Sequence, residues 1–279
     1  MRKRAFPLAF VLLAALLAAG CTHPFFYPMR ELVQTPQRLG LAYEDVNFRA
    51  SDGLRLHGWF LPAQGRAAGT VLFVHGNAEN ISTHIASVAW MPARGFNVFL
   101  FDYRGYGTSE GTPSVEGAQR DIDAAMQVVL GRSDVDKDRI AVFGQSLGGA
   151  LSAYYVAHTP LRANVRALVI ESAFSDYADI AREKLAASWL TWAFQWLALV
   201  AVDNRFSPLP SMQDISPIPL LVIHGEEDRI VPPEHARRLY DAAREPKQLW
   251  LVPGAGHIQA THLPAERERL AAYLREALR

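Results

Sequence analysis

Residues 141–157 read AVFGQSLGGALSAYYVA, which is an apolar run, a Gly-x-Ser-x-Gly core and a run of helix-forming residues. A serine on a sharp turn between a strand and a helix stands exposed at the carboxyl edge of a sheet. The backbone of such a turn is strained and needs small neighbours, and Gly144 and Gly148 supply them on either side of Ser146. The stretch therefore predicts a strand-to-helix turn that presents a serine hydroxyl.

Short apolar runs alternate with helical patterns along most of the chain. Continuous Val, Ile, Leu and Phe runs suit strands that are buried on both faces of a parallel sheet. Ahead of them, two period-two segments around the turn SDG predict an antiparallel hairpin. This alternation of strands and helices predicts an α/β fold with a mostly parallel, doubly wound sheet and helices on both faces. The predicted hairpin strands are 46–50 and 54–60, the parallel strands are 70–76, 96–102, 139–144, 167–172, 219–225 and 247–254, and the helices are 83–94, 115–130, 147–158, 233–244 and 264–278.

One segment interrupts this alternation, because the stretch from Glu171 to Pro219 is too long for a plain strand-to-helix connection. We expect a helical cap insertion over about 172–215. Its centre, 185–202, is uncharged and holds three of the six tryptophans. A transmembrane helix is one alternative for this centre, and extra core packing without substrate contact is another.

The aromatic residues of the cap have a defined arrangement if they lie on one continuous helix. Steps of 100° per residue place Trp189, Trp192 and Trp196 on one face and Phe194 on the opposite face. A helix that is apolar on both sides must bury both or expose one to ligand or lipid. We therefore predict that one face packs on the core and the other lines an acyl pocket or touches a membrane.

A serine nucleophile needs a base, and the base needs an acid that orients it. In a sheet of this kind the acid follows the serine in the chain, at the carboxyl end of a later strand. Asp228 lies in the loop after the strand at 219–225 and is the leading candidate. Its competitors are Glu171, Glu226 and Glu227.

The base is sought in the loop after the last strand. His257 holds that position, directly before the final helix, and His262 is its rival five residues further on. His224 at a strand end and His235 on a helix are interpreted as structural.

The negative charge that develops on a substrate oxygen needs two N–H donors. The N–H of Leu147 follows the serine and is the first, with the positive end of the following helix behind it. The second should come from the loop after an earlier strand, where HGNAEN offers the N–H of Asn77. His75 precedes the serine in the chain and is expected to brace this loop.

Five segments, HGNAEN, FDYRGYGTSEGTPS, GQSLGG, GEEDRIVP and GAGH, together resemble the serine aminopeptidase-like and prolyl oligopeptidase-like branch of the α/β-hydrolase superfamily. The segment HGEEDRIVP is similar to the Gly-x-x-Asp-x-x-Val-Pro stretch of many α/β hydrolases, which favours Asp228 over its competitors. The resemblance covers nearly all of 44–279. It implies an α/β-hydrolase fold with a catalytic triad of Ser146, Asp228 and His257.

Composition limits the other classes of function. The chain has 279 residues with 28 basic and 28 acidic side chains, so no basic excess indicates a nucleic-acid partner. A single cysteine excludes an intramolecular disulfide and a cysteine-built zinc site. Triad chemistry needs neither a metal ion nor an organic cofactor.

The N-terminus has the features of a secretory signal. A basic start, RKR, precedes the apolar stretch 6–19, which is shorter than the roughly 20 residues of a membrane-spanning helix. The sequence LLAAGC resembles the lipobox of bacterial lipoproteins, which implies a signal peptide over 1–20 and a lipid on Cys21. An ordinary signal with a chance cysteine and an uncleaved anchor are the alternatives.

The lipobox resemblance also implies a location. Lipid on Cys21 would hold the protein at a membrane through a tether over 21–43, with the hydrolase domain at 44–279. The residue after Cys21 is Thr22 and not an aspartate, which resembles Gram-negative lipoproteins that are released toward the outer membrane. We therefore expect a membrane-anchored protein of the cell envelope, on the periplasmic side.

These features predict a serine hydrolase that cleaves carboxylic esters or related acyl bonds of a small-molecule acyl substrate through an acyl-enzyme. A serine peptidase of the aminopeptidase-like branch is the first alternative. A non-catalytic surface lipoprotein that keeps the fold as a binding module is the second.

Overall fold

The computed structural model of the chain describes residues 25–279. The predicted signal peptide and Cys21 lie outside the described residues. An eight-stranded sheet forms the centre, and six of its neighbouring strands run parallel. The prediction of an α/β-hydrolase fold with a mostly parallel sheet is confirmed.

The strands and helices follow one another in the order that the apolar runs predict. The strands are β1 (Tyr27–Pro28), β2 (Glu44–Arg49), β3 (Arg55–Leu61), β4 (Gly69–Val74), β5 (Ala78–Glu79), β6 (Phe96–Asp102), β7 (Ile140–Gln145), β8 (Val165–Glu171), β9 (Leu220–Gly225) and β10 (Lys247–Val252). The α-helices are α1 (Ile81–His84), α2 (Val115–Gly131), α3 (Leu147–His158), α4 (Tyr177–Ala186), α5 (Ala198–Ala201), α6 (Glu234–Ala242) and α7 (Pro264–Ala277).

The strand order places a crevice beside β4. The sheet runs β10-β9-β8-β7-β4-β6-β3-β2, with β2 and β3 forming the predicted antiparallel hairpin. The chain leaves β4 for β6 on one side and later returns to β7 on the other. In open α/β sheets, ligands bind at the carboxyl ends of strands where the order switches in this way. The loops after β4 and β7, which carry Asn77 and Ser146, meet at that point.

The sheet is buried on both faces, as its continuous apolar runs require. In β4, Val71 and Phe73 belong to one hydrophobic layer, and Leu72 and Val74 belong to the other. All four side chains are fully buried. The sheet therefore holds its strand ends rigidly.

The expected tether is wrong for residues 25–43, which pack against the domain. Phe26 is buried, and β1 pairs in parallel with β5. The Asn80 side-chain amide donates to the carbonyl of Glu31 at 2.7 Å, and the Arg30 guanidinium donates to the carbonyl of Ser109. Interactions with residues distant in sequence fix this segment, although its own pattern is irregular.

The predicted helix over 83–94 is also wrong. α1 covers one turn, with the Asn80 side chain accepting from the Ser82 N–H at its start. Two short 3₁₀ segments follow, at Ile85–Ser87 and Pro92–Arg94. Proline has no N–H to continue a helix, so Pro92 starts a new turn instead of extending the first.

The segment 172–215, predicted as a cap insertion, contains a broken series of helical pieces. The first residues of α4 are buried against the core, a 3₁₀ segment follows at Trp192–Leu197, and α5 adds one turn. A further 3₁₀ segment, Leu209–Asp214, leads back toward β9. Among the helices of residues 25–279, none has both the length and the apolar character to cross a membrane.

Candidate active site

Ser146 sits on the turn that the sequence predicts, between β7 and α3. Its φ is 54° and its ψ is −120°, a conformation that costs energy for any residue with a side chain. A Cβ on Gly148 would lie 2.0 Å from the carbonyl oxygen of Val74, and one on Gly144 would lie 2.3 Å from the Gly148 oxygen. The glycines are therefore required by close backbone approach around the serine.

The structure brings together the three side chains of the predicted triad. His257 Nε2 lies 3.0 Å from Ser146 Oγ, and His257 Nδ1 lies 2.8 Å from Asp228 Oδ2. The carboxylate can only accept at its ionised oxygens, so Nδ1 carries the proton and Nε2 is free to accept from the hydroxyl. This is the arrangement that a hydroxyl nucleophile with a histidine base needs.

The carboxylate of Asp228 is held in place from several sides. Its Oδ1 accepts from the N–H groups of Ile230 and Val231, each at 2.9 Å. Burial raises the pKa of Asp228, but hydrogen bonds from His224 and His257 outweigh it and hold the pKa well below its usual range. Asp228 is therefore ionised at neutral pH and can stabilise a histidinium.

His224 has a part in the site beyond the structural one that its sequence position suggests. Its Nε2 lies 2.8 Å from the carbonyl oxygen of Val231, which can only accept, so Nε2 carries a proton. The same nitrogen lies 3.3 Å from Asp228 Oδ2. His224 therefore positions both the loop and the carboxylate, a role that only the folded structure reveals.

The two predicted N–H donors border one cavity with the serine. Asn77, Ser146 and Leu147 all line it. Neither backbone N–H has a hydrogen-bond partner within residues 25–279. The Asn77 carbonyl accepts from the Tyr106 hydroxyl at 2.6 Å and from the Tyr27 N–H, which holds the peptide that follows Asn77 in place. The geometry fits an oxyanion hole.

His75 braces the Asn77 loop, as expected. It is fully buried, and its Nδ1 lies 2.7 Å from the carbonyl oxygen of Gly76. The Tyr103 hydroxyl donates to the His75 carbonyl at 2.7 Å. Burial lowers the pKa of His75 well below its usual value, so the ring is neutral and cannot compete with His257 for the serine proton.

The cavity beside Ser146 has a volume of about 530 Å³ and a largely apolar wall. Ile180, Leu185 and Val202 from the cap line one side. Phe25 and Tyr27 line another, so the N-terminal segment contributes to the site. No local pattern around these two residues could have indicated that contribution.

Comparison with known proteins places the chain in a family. The family model described as "Serine aminopeptidase, S33" matches residues 65–217 and 207–260, more than half of the chain. The chain belongs to the S33 serine aminopeptidase family. Its α/β-hydrolase fold and its hydrolase class follow from that membership and from the architecture described above.

Relatives of this S33 hydrolase occur in bacteria and plants. The uncharacterized protein YfhR of Escherichia coli K12 is 39% identical over 261 residues, covering 91% of this chain and 87% of YfhR. The α/β-hydrolase domain-containing protein WAV2 of Arabidopsis thaliana is 40% identical over 224 residues, covering 76% of this chain and 71% of WAV2. Among solved structures, the Pyrococcus furiosus esterase Pf2001 has a TM-score of 0.74 at 23% identity, covering 93% of this chain and all of that one.

None of the competing acids of this S33 hydrolase makes a hydrogen bond with His257 within residues 25–279. Glu226 and Glu227 are exposed on the loop before Asp228. Glu171 is fully buried and accepts from the side chains of Gln145 at 2.6 Å and Thr261 at 2.7 Å. Gln145 precedes the serine and Thr261 follows the histidine loop, so Glu171 ties these two parts of the site together.

The rival histidines are also engaged elsewhere. His262 lies on the surface with Nε2 3.4 Å from Ser87 Oγ. His235 contacts Ser175 Oγ at 2.8 Å through Nδ1 and Glu183 at 3.0 Å through Nε2. Neither makes a hydrogen bond with Ser146.

The aromatic centre of the cap differs from the prediction. Trp189, Trp192, Phe194 and Trp196 do not share one continuous helix, because the 3₁₀ segment begins only at Trp192. All four are exposed, with Trp189 at 81%, and none lines the cavity beside Ser146. The wall that the cap does supply comes from α4 and Val202.

Residues 25–279 contain no group of three or more His, Cys, Asp or Glu side chains that could hold a metal ion. Catalysis without a metal or organic cofactor stays a prediction.

Proposed function

We propose that this S33 hydrolase cleaves carboxylic esters or related acyl bonds with Ser146, His257 and Asp228 as a catalytic triad. The observation that carries the proposal is the pair of contacts on one imidazole, 3.0 Å to the serine hydroxyl and 2.8 Å to the carboxylate. The strained φ of Ser146 supports it, because such strain persists at sites where function requires it.

In the acylation step, Ser146 Oγ attacks the substrate carbonyl carbon while His257 Nε2 takes the hydroxyl proton. Asp228 stabilises the resulting imidazolium through Nδ1. The N–H groups of Asn77 and Leu147 donate to the oxyanion. Collapse of the intermediate breaks the ester bond, and His257 returns its proton to the leaving alcohol.

Deacylation repeats these steps with water. His257 takes a proton from the attacking water, and the hydroxide adds to the acyl-serine carbonyl. The second intermediate collapses to release the carboxylic acid, and the proton returns to Ser146 Oγ. The net reaction converts the ester and one water molecule into a carboxylic acid and an alcohol and regenerates the free enzyme.

The cavity wall favours an apolar acyl group as the substrate. Each buried methylene contributes about 0.8 kcal/mol of favourable transfer free energy. Lys184 is the single charged side chain on the described wall of this cavity. A cation beside the site disfavours the positively charged amine of a peptide N-terminus, so we rank ester above aminopeptidase chemistry.

The family description keeps a serine peptidase as the second candidate. The Pf2001 esterase supports the fold alone at 23% identity, so the choice of substrate rests on the cavity. A panel of p-nitrophenyl esters of two to sixteen carbons, run beside aminoacyl p-nitroanilides, separates the two candidates. We expect ester turnover that rises with acyl length; faster turnover of anilides would overturn the choice.

The same panel tests the non-catalytic alternative. Ser146→Ala is the matched control, because it removes only the hydroxyl. Absence of hydrolysis in the wild-type protein, together with no labelling by a fluorophosphonate probe, would favour a binding module instead.

We also propose that Cys21 carries lipid and anchors the protein on the periplasmic side of the cell envelope. The lipobox-like LLAAGC and the basic, apolar start support this proposal. Mass spectrometry of the mature N-terminus tests it, with Cys21→Ser as the control that cannot be lipidated. Cleavage elsewhere with an unmodified Cys21 would contradict it.

A further inference from the structure

The cap carries a dense cluster of exposed apolar side chains, here called the cap patch. Twelve large hydrophobic residues are exposed in residues 25–279, and seven of them lie between positions 189 and 200. Large exposed apolar patches on a protein commonly mark sites that bind another protein, a membrane or a ligand. The cap patch consists of Trp189, Leu190, Trp192, Phe194, Trp196, Leu199 and Val200.

The cap patch is continuous in the chain with the wall of the catalytic cavity. Leu185 lines the cavity four residues before the patch begins, and Val202 lines it two residues after the patch ends. The segment 185–202 between them contains no charged residue. A partner that binds the cap patch therefore contacts a segment whose two ends line the cavity.

The start of the described chain reaches the same part of the molecule. The Phe25 ring packs against Tyr177, the first residue of α4, with centroids 5.1 Å apart. Phe25 also lines the cavity. α4 then runs ten residues from this contact toward the cap patch, a length of about 15 Å.

The chain that precedes Phe25 limits how far the domain can stand from an anchor. Cys21 is four residues before Phe25, and four extended residues span at most about 14 Å. A lipid on Cys21 would therefore hold Phe25 within that distance of the membrane surface, and the cavity wall and the start of α4 would lie next to Phe25.

We propose that the cap patch docks into the headgroup and acyl boundary of the lipid bilayer to which the N-terminus is anchored. This inference rests on the anchoring and acyl-hydrolase activity proposed above. Tryptophan is the residue most suited to this boundary, and the uncharged segment 185–202 brings no charge into it. The cavity then opens beside the bilayer, and its substrate is an acyl ester that partitions into lipid.

Fluorescence of the full-length protein in vesicles tests the docking directly. Three of the six tryptophans lie in the cap patch, whereas Trp59 and Trp250 are buried and Trp90 is partly buried. We expect phosphatidylcholine with brominated acyl chains to quench roughly half of the emission, relative to unbrominated vesicles. Replacing the three patch tryptophans with phenylalanine together, Trp189→Phe, Trp192→Phe and Trp196→Phe, should abolish the quenched fraction while keeping the docking.

An activity measurement complements the quenching. Replacing the same three tryptophans with serine should lower hydrolysis of a long-chain ester embedded in the vesicles at least tenfold. Hydrolysis of a water-soluble short ester should change less than twofold, since none of these side chains lines the cavity. Leu39→Ser is the matched control, because it replaces an exposed apolar residue outside the patch, and both activities should stay unchanged.

The possible failures can be told apart. Full-length protein that floats with the vesicles but shows no quenching overturns the docking, and crosslinking of such protein into dimers would assign the patch to a second copy. Protein that does not float with vesicles overturns anchoring and docking together. Quenching without any ester hydrolysis supports the docking and overturns the proposed activity.

Discussion

The hydroxyl of Ser172 accepts a hydrogen bond from the N–H of Ile258 at 3.1 Å. Ser172 directly follows β8, and Ile258 directly follows His257. Both residues have positive φ, 52° and 50°, as does Ser146 at 54°. Strained residues of this kind persist where the surroundings fix them, and here one hydrogen bond joins the histidine loop to the strand beside the nucleophile.

Ser172→Ala removes this acceptor and leaves the N–H of Ile258 unpaired. We expect kcat to fall about tenfold, equivalent to about 1.4 kcal/mol, with little change in KM, because His257 loses part of its positioning. Steady-state kinetics on a p-nitrophenyl ester measures the effect.

Ser114→Ala is the control for that change. The Ser114 hydroxyl accepts from the Gly117 N–H at the start of α2, far along the chain from the site, so the same kind of bond is lost. The variant should lose about 1 kcal/mol of unfolding free energy and keep its kcat. Equal kcat losses in both variants would mean that Ser172 contributes only to general stability.

The sequence predicts those parts of the fold and site that short patterns encode. Continuous apolar runs indicate the strands, and the glycines around Ser146 indicate the turn that carries it. Asp228 and His257 follow because their loops come directly after predicted strands. These features depend on neighbours in the chain, so they can be predicted without knowledge of the packing.

Other parts depend on contacts between distant segments and could not be predicted. Phe26 is buried by residues far along the chain, which makes the expected tether a part of the domain. Asp228 receives His224 as a neighbour only because the loop after β9 folds back on its strand. The cap breaks into short helical pieces although its apolar pattern is compatible with one helix.

Gly148, two residues after the nucleophile, should tolerate no side chain. A Cβ in Gly148→Ala would meet the carbonyl oxygens of Val74 and His75 at 2.0 and 2.3 Å, and backbone cannot move away cheaply. We expect a loss of several kcal/mol in unfolding free energy and no measurable activity. Chemical denaturation and ester assays check both effects.

Gly131→Ala is the matched control, since nothing lies within 4 Å of its added methyl group at the end of α2. It should leave activity intact and raise the unfolding free energy by about 0.5–1 kcal/mol. A Gly148→Ala protein as stable and active as this control would refute the close-approach argument.

Filling the cavity should shorten the acyl chain that the enzyme prefers. Ala181 on α4 lines the cavity, so Ala181→Phe occupies volume that acyl carbons would take. Each excluded methylene should lower kcat/KM about fourfold, from about 0.8 kcal/mol of lost burial. The chain-length profile of p-nitrophenyl esters gives the measurement.

Ala186→Phe makes the same change on the same helix at an exposed position off the cavity wall. Its chain-length profile should match the wild type. Identical profiles for all three proteins would show that acyl groups bind somewhere other than this cavity.

Asp102 should make stability depend on pH. Burial raises the pKa of Asp102 to about 7, against smaller opposing effects of the Ile81 N–H and of Arg30. The unfolded state loses this proton near pH 4, so stability falls as the pH rises from about 4 to about 7. Asp102→Asn never ionises and escapes this loss.

The unfolding free energy of Asp102→Asn minus that of the wild type should therefore increase as the pH rises from 4.5 to 8. The upper bound is about 4 kcal/mol, from about three pH units at 1.36 kcal/mol each. Urea unfolding at several pH values measures the difference. A difference that does not vary with pH would mean that Asp102 ionises normally in the folded protein.

Trapping the acyl-enzyme tests the central claim most directly. The protein is mixed with a p-nitrophenyl ester, quenched in acid within the first turnover and analysed by peptide mass spectrometry. The account predicts one acyl group on Ser146, a burst of one equivalent of nitrophenolate, and neither in Ser146→Ala. Acyl transfer to another residue, or ester turnover by Ser146→Ala at the wild-type rate, would contradict it.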